Sequence, residues 1–398
     1  MKLAYFGYPQ IGGTYSLFRH LRAGLAGAGI ELRWLGCGPN AHAAADNPMF
    51  RTERQNGNTV GRPDDDDTAR TRAMVAAIEE GFDGVFVTVL ADPVQTNAVR
   101  YLDPRIFRIT IVVNITPGTY AAARAIRDHV HVTVGVAPRI QADLVRRYGF
   151  DRDRTVTIPI GIDIAGVVSA RPERSSKSLR VLYLGRVEEQ AKGVLWLPRI
   201  CRDLPPSVTL TVAGDGPDLG RLKARCADLG SRVQFRGAVA PSVVGKLLAE
   251  HDVLLMPSRF EGFPVTLVEA MAAGCVPVAS RIQGTTDLAV EHGVNGFLFP
   301  VGDTRAAAQA IARLAEDRST LAAMSIRASH KARDHFGVGL MAERYRDLID
   351  GLRYSQPVVA PPLGLAGWRL PPGLRPGIRT YLPTSLKNAL RTLRERQA

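Results

Sequence analysis

The chain has 398 residues, 45% hydrophobic and 22% charged, a balance that excludes a disordered protein and allows two domains with cores of their own. Four cysteines, Cys37, Cys201, Cys226 and Cys275, form no C-x-x-C pair, so buried thiols in a reducing compartment are expected in place of disulfides or a zinc site. The net charge of +13 favours anionic partners, whether nucleotide phosphates, lipid head groups or nucleic acid.

Short apolar strands alternate with helical stretches along most of the chain, the pattern of parallel sheets covered on both faces. The first series of expected strands is 2–7, 31–35, 84–88, 106–113 and 130–136. Gly12 and Gly13 follow the first of them and precede a helix from about Tyr15 to Ala28; two glycines there permit close approach of a ligand to the backbone. The run Asp64 to Asp67 contains Asp-x-Asp, but it precedes a helical stretch and is read as favouring that helix's N-terminus, so no essential metal is expected. Asn114 follows the fourth strand and cannot take a proton, while His129 and His131 flank the fifth and are read as structural.

The polar stretch 170–178 reads as a linker. Beyond it come strands at 180–184, 209–213, 232–236, 253–257, 276–279 and 296–299. The expected division is therefore 1–169, a linker at 170–178, 179–350 and a basic Pro/Gly-rich tail at 351–398. The fold class follows as α/β, two Rossmann-like doubly wound parallel-sheet domains facing a cleft, with the site beyond the carboxyl ends of the strands. No apolar run approaches the roughly 20 residues of a bilayer crossing, and the N-terminus does not read as a signal peptide, so a cytoplasmic protein is expected. From Gly351 onward eight Lys or Arg face the single Glu395, and Leu386, Leu390 and Leu393 share one face of a last helix. That helix either lies at an anionic membrane or packs its leucines on the body.

The most informative stretch begins Glu261-Gly-Phe-Pro-Val-Thr-Leu-Val-Glu269. Gly262 and Pro264 suit a tight loop that opens a helix, and backbone N–H groups at Phe263, Val265 and Thr266 would face an anion. Glu261 at the mouth and Glu269 two turns inside can hold hydroxyls on either side of a bound phosphate, an arrangement that fits a sugar nucleotide. Arg186 and Lys192 lie on the loop after the strand ending at Leu184, where cations would neutralise a leaving diphosphate.

These residues resemble the signature of retaining glycosyltransferases of the GT-B architecture, particularly family 4. Gly185-Arg186 with Lys192-Gly193, the strand Ile158 to Asp163, the turn around Gly214 and the loop Arg236 to Val239 fall in the same order as that family's motifs. The resemblance implies a retaining hexosyltransferase, metal-independent and without a bound cofactor, that moves a hexose from a UDP- or GDP-linked sugar to a hydroxyl of a glycan or lipid-linked acceptor in polysaccharide or glycolipid synthesis. In that reading Arg186 and Lys192 bind the diphosphate, Glu261 the sugar and Glu269 the ribose. Gly12, Gly13, Gly185 and Gly214 allow close approach, and Val239 lies against the base. Many relatives place a histidine where this chain has Asn114; the front-face reaction the resemblance implies, in which the leaving phosphate helps to accept the acceptor proton, tolerates that loss and leaves acceptor activation open. A sugar-nucleotide epimerase of the same fold and a non-catalytic sugar-nucleotide-binding module remain as alternatives. The basic tail carries no nucleic-acid-binding motif, and none is expected to bind.

Overall fold

The computed structural model describes residues 1–10, 12–89, 92–167, 178–377 and 381–397. The chain forms two compact units: Met1–Gly161 with Val338–Tyr381, and Ile162–Gly337 with Leu382–Ala398. Each is built on one parallel sheet. The first unit holds β1 (Lys2–Phe6), β2 (Glu31–Cys37), β3 (Gly57–Val60), β4 (Gly84–Thr88), β5 (Phe107–Val112), β6 (Val132–Gly135) and β7 (Thr155–Thr157), in the spatial order β3-β2-β1-β4-β5-β6-β7. The second holds β8 (Leu179–Leu184), β9 (Val208–Ala213), β10 (Val233–Gly237), β11 (Val253–Met256), β12 (Val276–Ser280) and β13 (Phe297–Phe299), in the order β10-β9-β8-β11-β12-β13. Helices that bear on function or on the unit boundaries include α1 (Gly13–Ala26), α2 (Asp67–Gly81), α3 (Glu189–Lys192), α4 (Val265–Ala272), α5 (Val338–Tyr354) and α6 (Thr384–Gln397).

Both sheets are doubly wound, as their unbroken apolar strands require. The residues of β4, β11 and β12 are all buried, because helices cover both faces and leave no wet side on which polar residues could alternate. In each sheet the winding direction reverses once, between β1 and β4 in the first unit and between β8 and β11 in the second. At such a reversal the loops leaving two adjacent strands turn to opposite faces and open a crevice at the carboxyl ends.

The units do not follow the division expected from the sequence. Residues 338–350, assigned there to the second domain, begin α5, which packs on the first unit. An added Cβ at Gly24 of α1 would lie 2.5 Å from the Ala342 Cβ, and the buried Tyr345 ring meets Phe86 of β4 edge-on at 5.5 Å. The chain then stays on the first unit by backbone and side-chain bonds: Ala360 N–H donates to Asp128 O (2.7 Å), Leu363 N–H to Arg100 O (2.9 Å) and the Trp368 indole to Thr71 Oγ1 (2.7 Å). The tail 351–398 is thus shared between the units, since only its last helix belongs to the second. Of the expected linker, residues 170–177 lie outside the described residues.

The Asp64–Asp67 run does the local work read from its position. Asp66 caps α2 by accepting from Ala69 N–H at 2.8 Å, Asp65 accepts from Arg62 N–H, and Asp67 pairs with Arg70 at 3.3 Å. His131 is buried between β5 and β6, where Nδ1 accepts from Arg108 N–H at 3.1 Å. Burial, then the nearby Arg108 and Arg154, lower its pKa to about 4. Burial also lowers that of His129, which places both histidines in the scaffold.

Candidate active site

In the second unit the loops that leave β8, β9 and β10 are held together by backbone hydrogen bonds, with Asp218 Oδ2 also accepting from Glu189 N–H at 2.8 Å. Gly185 N–H donates to Ala213 O (3.0 Å), Val187 N–H to Asp215 O (2.9 Å) and Gly214 N–H to Gly237 O (2.7 Å). This contact is so close that a Cβ on Gly214 would stand 1.9 Å from Gly185 O, and one on Gly216 2.5 Å from Val187 O. The glycines of the Val212-to-Pro217 turn are therefore dictated by neighbouring backbone, quite apart from any ligand. Tyr183, buried beneath the loop, donates to Arg186 O at 2.6 Å and fixes its path; burial and then the carboxylates of Glu261, Glu188 and Glu189 push its pKa far above the phenol range.

After Arg186 the loop enters α3, a single turn that ends on Gly193 at φ 61°. A side chain at Gly193 would lie 2.4 Å from Pro257 O, at the end of β11. That approach brings the loop of β8 onto the loop of β11 at the winding reversal, and a charged cluster forms there. Lys192 Nζ donates to Glu261 Oε1 at 2.6 Å, and Ser258 Oγ donates to the same oxygen at 2.6 Å. Glu261 is buried, with 9% of its side chain exposed, whereas Lys192 keeps 29%. Arg259 pairs with Glu189, stacks its guanidinium 3.8 Å from the Trp196 ring centroid and donates from its backbone to Ala191 O at 2.7 Å. Two interleaved Lys/Arg–Glu pairs thus clamp α3 to the 258–261 loop.

The loop continues into α4. Its buried residues, Leu267, Val268, Ala270, Met271 and Ala272, anchor one side, and Phe263 packs against Phe336 at 5.7 Å. Val265, Thr266 and Glu269 are the partly exposed positions and share the opposite face, at the three- and four-residue spacing of neighbours on a helix. The amides expected to face an anion are narrowed by the structure. Pro264 has no N–H, Val265 N–H turns back to Phe263 O at 3.0 Å, and Leu267 and Val268 donate to Pro264 O. The N–H groups of Phe263 and Thr266 have no acceptor among the described residues. They and the Lys192 ammonium are donors at or near the start of α4, whose partly exposed face also carries Glu269.

Other expected residues stand apart from this cluster. Arg186 is 68% exposed, its nearest carboxylate Glu188 at 3.8 Å. Val239 is half-buried beyond the end of β10. Gly12, Gly13 and Asn114 belong to the first unit: Gly12, at φ 150°, caps α1 after β1, and Asn114 follows β5 with its Oδ1 accepting from Ile115 N–H at 2.8 Å. Ser258, Arg259, Glu189 and Tyr183 were not singled out by the sequence, where nothing in the local pattern distinguishes a charge that clamps two loops from one on a wet surface.

Residues 178–317 match the family described as "Glycosyl transferases group 1". The matched segment carries the whole of the charged cluster. Curated glycosyltransferases match a part of the chain as well. The chain is 30% identical over 185 residues to the amylovoran biosynthesis glycosyltransferase AmsK of Erwinia amylovora, covering 44% of this chain and 45% of that protein. It is 31% identical over 199 residues to the phosphatidyl-myo-inositol mannosyltransferase of Mycolicibacterium smegmatis, covering 48% and 51%. The chain therefore spans about half the length of the curated relatives it matches. Among solved structures it is similar to Anabaena HepE in complex with UDP, with a TM-score of 0.74 at 21% identity, covering 88% of this chain and 100% of that one. It is also similar to the lipopolysaccharide outer core galactosyltransferase WaaB, at a TM-score of 0.68 and 17% identity over 88% and 100%. The two-sheet GT-B fold of these glycosyl transferases is that of this chain.

Proposed function

We propose that the protein is a retaining glycosyltransferase that moves a hexose from a UDP- or GDP-linked sugar to a hydroxyl of a glycan or lipid-linked acceptor, from the cytoplasm and at the face of a membrane. The observation that carries this reading is the junction at the winding reversal of the second sheet, where Lys192, buried Glu261 and the open amides of Phe263 and Thr266 converge on the start of α4. The similar Anabaena HepE has also been solved with UDP-glucose and with UDP and glucose, which supports the same donor class here.

In the proposed reaction the acceptor oxygen attacks the anomeric carbon on the face from which the sugar-to-phosphate bond breaks, and the acceptor's proton passes to the departing phosphate oxygen. Charge grows on that phosphate as the bond breaks. Lys192 and the two amides meet it with fixed donors, the kind of preorganised stabilisation that is worth about 2.7–4 kcal/mol per donor. Glu261 holds Lys192 in place before the donor arrives and is positioned to take a sugar hydroxyl when the ammonium turns to phosphate. Glu269 takes the ribose, and Arg186, exposed without a donor, closes on the diphosphate. No metal is assigned to the step. Asn114 orients the acceptor side without acting as a base.

The test is turnover. Purified protein is incubated with UDP- and GDP-linked hexoses, with and without EDTA, and released nucleotide and the product's anomeric configuration are read by NMR. Release of UDP or GDP with retained configuration is expected; an inverted product would remove the front-face mechanism, and no release with any sugar nucleotide would remove the enzyme.

A further inference from the structure

The last helix of the chain sits on the second unit with its polar side inward. Asn388 is buried, the Arg391 guanidinium stacks 4.4 Å from the Phe260 ring centroid, Thr392 Oγ1 accepts from Arg259 Nη1 at 3.0 Å, and Arg396 Nε donates to Val301 O at 2.8 Å. These positions recur every three or four residues and mark one face of α6. The other face carries Leu386, Leu390 and Leu393, exposed at 46%, 56% and 54%. An amphipathic helix held to a globular body turns its apolar stripe to the core. This one does the reverse, although its leucines were available for burial. Single exposed leucines are ordinary, but three in register on one helix form a stripe. Lys387 and Arg394 stand three residues before and four after Leu390 and border it.

We propose that α6 is a membrane-seating helix whose Leu386, Leu390 and Leu393 enter the interface of an anionic bilayer while its inward face stays bonded to the loop that carries Arg259 and Glu261. The occupant is argued from charge. Of the four Lys or Arg on the helix, Arg391 and Arg396 are engaged on the inward face, and Lys387 and Arg394 border the leucines; an apolar stripe bordered by cations matches a surface of acidic head groups over acyl chains. No described helix is long and apolar enough to cross a membrane, so seating in the interface is the contact available to it. The inference rests on the proposed membrane-side function for its setting, but it concerns where the chain is held and not what it transfers.

The experiment is co-sedimentation of the full chain with vesicles of mixed phosphatidylglycerol and phosphatidylcholine, and of phosphatidylcholine alone, at low and high salt. The wild type binds the anionic vesicles, and salt weakens the binding. The L386S/L390S/L393S variant, which changes only exposed side chains, binds at least about tenfold less at an unchanged unfolding temperature. Equal binding by that variant, or no binding by the wild type, overturns the proposal. So does a concentration-dependent dimer, seen by light scattering without lipid and lost in the variant, which would give the stripe to a second copy of the chain. Should the triple variant fail to fold, Leu390→Glu alone provides the same readout. Nucleotide binding measured on the same samples keeps the outcomes separate: a variant that has left the vesicles but still binds UDP or GDP fails on the membrane alone.

Discussion

The two sheets of this chain share one winding scheme and differ in what stands where the winding reverses. In the first unit the reversal lies between β1 and β4, and the strand β1 leads to Gly12 and Gly13, where an added Cβ would meet nothing within 4 Å. In the second it lies between β8 and β11, and is closed by touching backbones, two Lys/Arg–Glu pairs and a helix start with open amides. A doubly wound sheet therefore supplies a crevice but no chemistry. The chemistry comes from the loops, and the stretch that matches group 1 glycosyl transferases, 178–317, is the one whose loops are locked.

The comparison breaks most sharply at its glycines. Gly214→Ala would force a Cβ to 1.9 Å from Gly185 O at φ 141°, and we expect a loss of about 3 kcal/mol or more together with loss of nucleotide binding. Gly12→Ala has a similar φ of 150° and open space, so about 1 kcal/mol is expected in its case. Denaturant titration of the two variants decides this. Equal losses would mean that the two reversals are equally constrained.

Lys192→Ala is expected to lower kcat on the order of 10²- to 10³-fold. It also leaves the buried Glu261 carboxylate with Ser258 as its remaining side-chain donor, which costs about 1–3 kcal/mol of stability. Asn114→Ala in the first unit should change kcat far less. If both variants turned over alike, the asymmetry between the units would have no functional content. Glu269→Gln keeps its place on α4 and should weaken free nucleoside diphosphate by about tenfold, roughly 1.4 kcal/mol; calorimetry with UDP and GDP reads it directly.

The smallest expected effect is one of pH and sharpens the first unit's role as scaffold. The folded chain keeps His131 neutral down to about 4, below the ordinary value of 6.5, whereas the unfolded chain takes up the proton first. The contribution of His131 to stability is therefore flat above 6.5, is lost as the pH falls from there towards 4, and is constant again below. Burial of His129 and His251 pushes in the same direction. His131→Gln should reduce the slope of stability against pH in that window, as measured by urea unfolding at several pH values.

Much of this was legible in the sequence, for definable reasons. Strands buried on both faces read as unbroken apolar runs, so eleven of them were visible close to their observed bounds. The two that were missed, β3 and β7, are the edge strands Gly-Asn-Thr-Val and Thr-Val-Thr, short and half polar because one side has no neighbour; the strand read at Ile158 to Asp163 is not one, since β7 ends at Thr157 and only Ile162 beyond it forms an isolated bridge, to Gly337. The helix start at Pro264 and the paired loops were legible because glycine and proline constrain backbone locally. What could not be read was long-range: that α5 leaves the second series to pack on α1, where Gly24 makes room for Ala342, and that Lys192 reaches Glu261 across 69 residues of sequence. The same holds for α6. Its amphipathic pattern was plain, but its orientation, leucines outward, depends on Phe260, Arg259 and Val301, which lie far away in the chain.

The central claim is that the winding reversal of the second sheet holds the nucleotide. Titration calorimetry of UDP and GDP into the wild type, Lys192→Ala and Asn114→Ala tests it most directly. The account predicts that at least one nucleotide binds the wild type, that Lys192→Ala weakens it by about tenfold or more, and that Asn114→Ala leaves it unchanged. Binding that survives Lys192→Ala intact, or that depends on Asn114 instead, would contradict it.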